Sequence, residues 1–393
     1  MRRKEEAVGE IVNKLLTLVR PEYWLDKRVK VVNKAVQIDG RVYTASKPLL
    51  IAVGKSAVPM ARWFMDRMKF VRKIVVTPVS SALDAEVVVA QHPYPGPGSL
   101  EAGRRVIEAL ETEDYDLVLF LISGGASALM EYSEMGLEEL IELNGALVTS
   151  GLTIDEINTV RKHVSLLKGG QLAMKSKSKV VTLAVSDVPG DDPSVIGSGP
   201  TVPDNTTKEE ALEILERLGL KKFSRYVRET PKSLPNAEFF LLYDAMDVLR
   251  EGFSDWTILT SEIRGEARSL GMFLSSIANN VDVTGLKRVA LAGEPEVKIT
   301  GKSGKGGRNG EVCLSFLEHL RSDSLLVAVA SDGIDGNSEY AGCFAYRGAG
   351  PTRDEVVIAL EEHDSYSVLE KYGLAIKTGY TFSNVNNFYF LLS

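Results

Sequence analysis

Short apolar runs rich in β-branched residues alternate with helical segments through the first half of the chain. Leu49–Val53, Lys73–Thr77, Glu86–Ala90, Leu117–Ile122 and Val180–Val185 predict strands, and Ala57–Met68, Ser99–Glu111 and Leu137–Val148 predict helices between them. Near-continuous apolar strands joined by helices imply an α/β fold with a doubly wound parallel sheet covered on both faces. Later segments predict helices over Lys208–Leu218, Tyr243–Glu251 and Glu262–Ala278 and a strand at Thr257–Leu259, with a second α/β set from Arg288 onward. The turn-rich and proline-bounded stretches up to Asn236 place a boundary near 235, giving domains 1–235 and 236–393. The first residues, MRRKEEAVGEIVNKLL, predict an amphipathic helix.

In parallel sheets ligands bind beyond the carboxyl ends of the strands, so the residues just after each run matter most. Gly54-Lys55-Ser56 follows the first run, and Ser123-Gly124-Gly125-Ala126-Ser127 follows Leu117–Ile122. Val180–Val185 runs into Ser186-Asp187-Val188-Pro189-Gly190-Asp191-Asp192. A lysine, a hydroxyl-and-glycine cradle and an acidic loop are the inventory of a phosphoryl-transfer site. Lys55 would meet a phosphate or carboxylate there, a solvated surface lysine being the plain alternative. Leu49 and Glu296 stand where the glycine of a Walker A loop would precede Lys55 and Lys302, so that loop is absent. Neither Ser123 nor Ser127 has the paired glycines of a nucleophile elbow. The cradle therefore reads as donors around an anion, or as a close strand–helix turn.

Thr300–Glu311 (TGKSGKGGRNGE) carries five glycines with Lys302, Lys305 and Arg308, between a strand-like run, Glu296–Thr300, and a helical one, Val312–Leu320. Glycines that free backbone N–H groups, followed by a helix N-terminus, suit a phosphate. Gly301, Gly304, Gly306, Gly307 and Asn309 are the expected nucleotide contacts, against the alternative of a flexible surface loop. Asn309 occupies the place of the third glycine of a dinucleotide fingerprint, which leaves nicotinamide binding without positive support.

Asp155–Met174 predicts one helix that stops or kinks at Gly169-Gly170. Ile157, Val160, Val164 and Leu167 form its apolar stripe, and Asn158, Arg161, Ser165 and Lys168 an adjacent polar one. Arg161 and Lys168 then either form a solvated basic face or grip a carboxylate in a cleft. His163 reads as structural. Asp187, Asp191 and Asp192, with Asp332 and Asp335 after Leu325–Ala330, are candidate Mg²⁺ ligands, or ordinary aspartate turns.

Composition narrows the class. A chain of 393 residues, 44% hydrophobic and 25% charged, is that of a globular protein larger than one ordinary core. A net charge of −7 argues against general nucleic-acid binding. Cys313 and Cys343 lie in apolar runs and read as buried thiols. No apolar stretch is long enough for a membrane span and no signal-peptide core opens the chain, so a cytoplasmic protein is expected.

Taken in order, AVGKSAVPMA, HPYPGP, ISGGASALM, INTVRKHVSLLKGGQLA, SDVPGDDPSVIGSGPTVPD, GKGGRNGE, SDGIDG and TGYTFSNVNN resemble the class II glycerate kinase (glycerate 2-kinase, or MOFRL) family, from about 48 to 387. That resemblance implies two α/β domains, the N-terminal one Rossmann-like, with an active-site cleft between them. It also implies ATP- and Mg²⁺-dependent phosphorylation of D-glycerate at the 2-hydroxyl. The family's essential lysine falls on Lys55 and its essential arginine on Arg308. With those in place, Ser123, Gly124, Gly125, Ser127, Arg161 and Lys168 are the expected carboxylate contacts. Asp187 and Asp192 are expected to hold the metal, with Asp191, or to accept the hydroxyl proton. Expected partners are glycerate and nucleotide, with neither nucleic acid nor membrane; a homodimer is left open. The alternatives are an NAD(P)H-dependent hydroxypyruvate reductase, a kinase of a related small hydroxy acid, and a metabolite-binding protein of weak activity. Three positions depart from the family pattern: Gly310 for a glutamine, Pro295 in a strand of different glycine and threonine content, and Asn387 for an aspartate.

Overall fold

The structure, a computed structural model, describes residues 2–301 and 303–393, so Lys302 lies outside the described residues. The chain forms two compact units, Trp24–Tyr243 and a second made of Met1–Tyr23 with Asp244–Ser393.

The first unit opens with a small antiparallel sheet of β1 (Val29–Val32), β2 (Ala35–Ile38) and β3 (Arg41–Thr44). Its second turn, Asp39-Gly40, has positive φ at both residues, the geometry a two-residue hairpin demands. The main sheet contains β4 (Pro48–Val53), β5 (Arg72–Thr77), β6 (Glu86–Val89), β7 (Leu117–Ile122), β8 (Lys179–Val185) and β9 (Ala237–Tyr243). Its order is β6-β5-β4-β7-β8-β9, with every pair parallel. β4 and β7 are buried at every residue, the physical origin of their unbroken apolar sequence. On one face Leu49, Ile51, Val53, Phe120 and Ile122 share a core with Ala102, Val106 and Leu110 of the helix Pro97–Thr112.

Counted within this sheet, the strand order is 3-2-1-4-5-6, the doubly wound Rossmann arrangement. The direction of winding reverses between β4 and β7. The loops leaving those two strands, 54–56 and 123–127, therefore flank the switch point where such sheets bind ligands.

The second unit carries a mixed sheet of β10 (Thr257–Ile258), β11 (Arg288–Gly293), β12 (Leu325–Ala330), β13 (Gly342–Tyr346), β14 (Ala375–Ile376) and β15 (Asn387–Leu392), in the order β10-β11-β15-β12-β13-β14. The β10–β11 pair is parallel and the others are antiparallel. The last strand, β15, sits at the centre, and its Phe388, Tyr389, Phe390 and Leu391 are fully buried. The helices Ala267–Asn279 and Arg308–His319 pack so closely that a Cβ on Gly271 would overlap the carbonyl of Val312.

Several expectations change here. The sequence boundary at 235 lies just before β9, which completes the parallel sheet, and the division observed falls after Tyr243. The amphipathic helix, Arg2–Leu18, goes with the second unit: Leu15 and Val19 are fully buried there, and Ser383 Oγ donates to the Val19 carbonyl. The helix expected from Glu262 starts at Ala267, because Ile263 and Glu266 are extended and bridge to Gly293 and Glu296. Glu296–Thr300 is no strand; of it only Glu296 makes a bridge. Cys313 and Cys343 are buried, but as a disulfide tying the helix Arg308–His319 to β13 rather than as thiols.

Replacing the fully buried Leu15 by Ala should destabilise the unit that contains it by about 2–5 kcal/mol, the range for emptying a core leucine site. Denaturant unfolding measures it; an unchanged midpoint would mean the N-terminal helix is dispensable to that unit.

Candidate active site

The switch point is held by backbone and hydroxyl groups rather than left open. Ser123 Oγ accepts the Ser56 N–H at 3.0 Å, and the Lys55 N–H donates to the Gly124 carbonyl at 2.9 Å. Gly54 has φ of 126° and lies so close to Ser123 that a Cβ would overlap its Oγ. Ser123 and Gly124 are thus committed to joining the two loops. Lys55 stands half-buried on that junction, at the mouth of the helix Ala57–Met65.

Gly125 and Ser127 have a different place. With His92, Pro93, Pro95, Asn144, Arg161 and Lys168 they line a cavity of about 160 Å³. The structure brings Arg161 and Lys168 together, although the single helix that suggested it does not exist. The helix Ile154–Val164 ends at Ser165, whose backbone is extended, and Lys168 lies in the turn beyond. The Ser165 side chain accepts the N–H groups of Leu167 and Lys168 and shapes that turn. The sequence periodicity continued past a helix end at which Ser165 takes extended backbone and turns its hydroxyl to the following segment.

Each cation has a fixed partner. Arg161 Nε donates to Asn144 Oδ1 at 2.8 Å, and Asn144 is in turn oriented by its Nδ2 bond to the Leu140 carbonyl. That leaves the two terminal guanidinium nitrogens for a ligand. Burial lowers the pKa of Arg161, opposed by Glu131 and Tyr94. Lys168 Nζ bonds Glu131 Oε2, both side chains being almost wholly buried, and Ser165 Oγ donates to Glu131 Oε1 at 2.6 Å. Burial likewise lowers Lys168, against the pull of the Glu131 carboxylate. His163 is fully buried with its Nδ1 at 2.8 Å from the Thr159 carbonyl, a structural role.

The acidic loop is looser. Asp187 and Asp191 are half-buried, and exposed Asp192 accepts the Ser194 N–H at 2.8 Å in a local turn. Among the described residues no three His, Cys, Asp or Glu side chains are gathered to hold a metal. The expected trio of Asp187, Asp191 and Asp192 therefore forms no cage, because Asp191 takes a left-handed backbone and Asp192 turns to its own loop.

In the second unit the glycine-rich segment lines a cavity of about 270 Å³, with Gly304, Gly306, Gly307, Arg308, Gly336, Asn337 and His363 among its walls. Most of its glycines are required by packing. A Cβ on Gly304 would overlap Asp364, on Gly306 the His363 carbonyl, on Gly307 Asp335, and on Gly310 the Ser365 hydroxyl; Gly301 has open space around it. The helix N-terminus is already occupied. Buried Asp335 accepts the N–H groups of Asn309 (3.1 Å) and Gly310 (3.0 Å) and the Tyr366 hydroxyl (2.7 Å). The carboxylate thus takes the place that the sequence reading gave to a phosphate. Asn309 is fully buried, with its Nδ2 2.9 Å from Asn387 Oδ1, so it is an interior residue rather than a surface contact.

Arg308 remains available at the cavity wall. Its Nη1 is 2.7 Å from Glu294 Oε1; burial works to lower its pKa, but Glu294, with Tyr389 and Asp335, raises it overall. His363 accepts the Thr300 N–H at Nε2 (3.2 Å), which leaves Nδ1 to donate to Glu311 Oε1 (2.6 Å). Arg268 Nε completes the set on Glu311 Oε2 at 2.8 Å.

Residues 7–231 match the profile of a domain of unknown function (DUF4147), and residues 288–387 that of the MOFRL family. Over 98% of the chain and 99% of the relative, the sequence is 47% identical to the glycerate 2-kinase of Sulfurisphaera tokodaii. The chain belongs to the class II glycerate kinase family. The crystal structure of glycerate kinase from Thermotoga maritima superimposes with a TM-score of 0.87 at 33% identity, covering 100% of this chain and 99% of that one. A putative hydroxypyruvate reductase from Agrobacterium vitis is 38% identical over 80% of the chain and 79% of its own length.

The departures from the class II glycerate kinase pattern acquire physical reasons. Gly310 is small because Ser365 and Tyr366 fill the space beside it. Pro295 falls between Glu294 and Glu296, whose N–H groups donate to Ile263 and Gly265, so its missing donor breaks neither bond. Asn387 offers Asn309 the same kind of acceptor oxygen an aspartate would. Residues the sequence did not single out are His92 and Asn144 in the first cavity, Glu131 behind it, His363 in the second, and Glu294 paired with Arg308 at its wall. HPYPGP was the one signal for His92; the MEYSE segment offered none for Glu131.

Asp335→Ala should cost about 2–4 kcal/mol, since it strands two helix N–H groups and a buried hydroxyl. Burial raises the Asp335 pKa above its unfolded value despite those bonds. Its proton-linked stability is therefore fully present below the ordinary aspartate range and is lost as pH rises through the folded value. Thermal melts of the parent and of Asp335→Asn across acid pH should show that slope only in the parent.

Proposed function

We propose that the protein transfers the γ-phosphoryl group of ATP to the 2-hydroxyl of D-glycerate. The observation that carries this reading is the cavity beside the switch point, which joins Arg161, Lys168 and Ser127 around a space of about 160 Å³. That is well below the roughly 300–1,000 Å³ of a drug-sized ligand pocket and suits a three-carbon acid. The glycerate carboxylate meets the terminal nitrogens of Arg161, and Lys168 with the 125–127 backbone and hydroxyl positions the remainder. Full-length similarity to glycerate 2-kinases supports the same substrate.

Lys55 and Arg308 neutralise charge that develops on the transferred phosphoryl oxygens, a preorganised electrostatic role that needs no proton transfer from either. The Glu294 ion pair holds the guanidinium of Arg308 ready without cancelling its hydrogen-bond capacity, since only one of its nitrogens is used. The nucleotide phosphates are assigned to the cavity of the glycine-rich segment, with Gly304, Gly306 and Gly307 along its wall and Gly301 just before it. Asp187 and Asp192 hold the metal, or one of them instead accepts the hydroxyl proton. Mg²⁺ bound with the nucleotide supplies charge neutralisation, and because it needs only one or two carboxylates besides phosphate oxygens and water, Asp187 and Asp192 fit it. The cytoplasm is the compartment this reaction calls for.

The hydroxypyruvate reductase reading has support in the names of some relatives and in the Rossmann strand order. A loss of 340 nm absorbance with NAD(P)H and hydroxypyruvate would favour it.

³¹P NMR of the protein with ATP, Mg²⁺ and D-glycerate should show 2-phosphoglycerate; folded protein that yields no phosphoglycerate would defeat the kinase reading, and 3-phosphoglycerate would reverse the predicted hydroxyl. Arg308→Ala should lower kcat about a thousandfold or more with little change in melting temperature. Normal turnover in that variant would remove Arg308 from the mechanism.

A further inference from the structure

The cavity assigned to glycerate contains two cations but not two unbalanced charges. Lys168 and Glu131 are each about 3–4% exposed and bonded to one another, with Ser165 Oγ and the Tyr132 N–H on the other Glu131 oxygen. Arg161, by contrast, is held through the neutral amide of Asn144. The three charges act on one another: Glu131 supports the cationic form of both Arg161 and Lys168, and Arg161 opposes that of Lys168. Two cations and one buried carboxylate leave a single positive charge facing a cavity of about 160 Å³.

We infer that Glu131 is a specificity-determining residue, which sets the cavity to accept a monocarboxylate and to reject a dicarboxylate of the same size. This rests on the assignment of glycerate to that cavity. A buried charge costs much unless it is matched, so a ligand with one carboxylate balances the site and a second carboxylate meets a cavity lined, among the described residues, by no arginine or lysine besides Arg161 and Lys168. Specificity then comes from an unpaired charge on the wrong ligand as much as from contacts to the right one. Volume alone would not achieve this: hydroxymalonate differs from glycerate by a carboxylate in place of the terminal CH₂OH and is almost as small. Glu131 does not itself line the cavity; it acts through Lys168.

The test is the ratio of dissociation constants for hydroxymalonate and D-glycerate, by calorimetry, in the full-length protein. The parent should bind hydroxymalonate at least tenfold more weakly than D-glycerate. Glu131→Gln, which leaves the lysine and removes the carboxylate charge, should shift the ratio at least tenfold toward hydroxymalonate. The double variant Glu131→Gln with Lys168→Gln restores a single positive charge and should return the ratio toward the parent value. Equal binding of the two acids by the parent would overturn the inference without any variant having to fold, and so would an unchanged ratio in folded Glu131→Gln. Phosphoryl transfer to D-glycerate is read separately by ³¹P NMR. Transfer with an unchanged ratio defeats the role of Glu131 alone, and binding of D-glycerate without transfer defeats the kinase reading while the ratio still decides this one.

Discussion

The groups assigned to chemistry in the parallel-sheet unit depend on how the loops after β4 and β7 are joined. Ser123 Oγ takes the Ser56 N–H, the Gly124 carbonyl takes the Lys55 N–H, and Gly54 lies against Ser123 with no room for a side chain. This junction sets where Lys55 leaves the sheet and where residues 125–127 begin to wall the cavity. It also explains why two of the small residues in the cradle do not face a ligand. In a doubly wound sheet the adjacent strands send their connections to opposite sides, which opens a crevice at the switch point. The crevice must also be prevented from splaying, and backbone donors matched within it do this without using a charged group.

The second unit solves a related problem with a carboxylate. A helix that starts in a run of glycines has exposed N–H groups and little intrinsic rigidity. Asp335 supplies acceptors to two of those N–H groups from a separate segment, and Tyr366 holds Asp335 in turn. The His363–Glu311–Arg268 set then ties Thr300, before the glycines, to the body of the helix. The disulfide between Cys313 and Cys343 fixes the same helix to β13 one turn further along. Arg308 sits at the start of this anchored helix, so the position of its guanidinium follows from three independent restraints.

Much of the frame was legible in the chain. Five of the six parallel strands and the loops at their ends follow from apolar runs and from residue types after them, whereas Arg161 and Lys168 were suggested by a single helix that the structure breaks at Ser165. β9 was hidden because its AEFFLLY run comes directly after a polar, proline-bounded stretch that reads as a linker. The stop of the helix Ile154–Val164 was hidden because Ser165 ends it through bonds to Leu167 and Lys168, a local competition that apolar periodicity does not register. The larger gap concerns carboxylates. Glu131 meets Lys168 across 37 residues, Glu311 meets His363 across 52, and Asp335 meets Gly310 across 25. Spacing along one helix or loop carries no trace of partners brought together by the fold.

That gap has a consistent physical meaning. The motifs readable in sequence are cations and glycines whose local chemistry suits an anion, although most of those glycines are also required by packing. The buried carboxylates that orient, balance or replace a ligand act from behind, and each is matched only in the folded chain. A buried acid is tolerated where donors surround it and is expensive elsewhere, so Glu131 and Asp335 cannot be exchanged for apolar residues without stranding the groups that now bond them. The readable cations thus mark candidate anion positions, and on the proposed reading the unreadable Glu131 limits how many negative charges the anion beside Lys168 can carry.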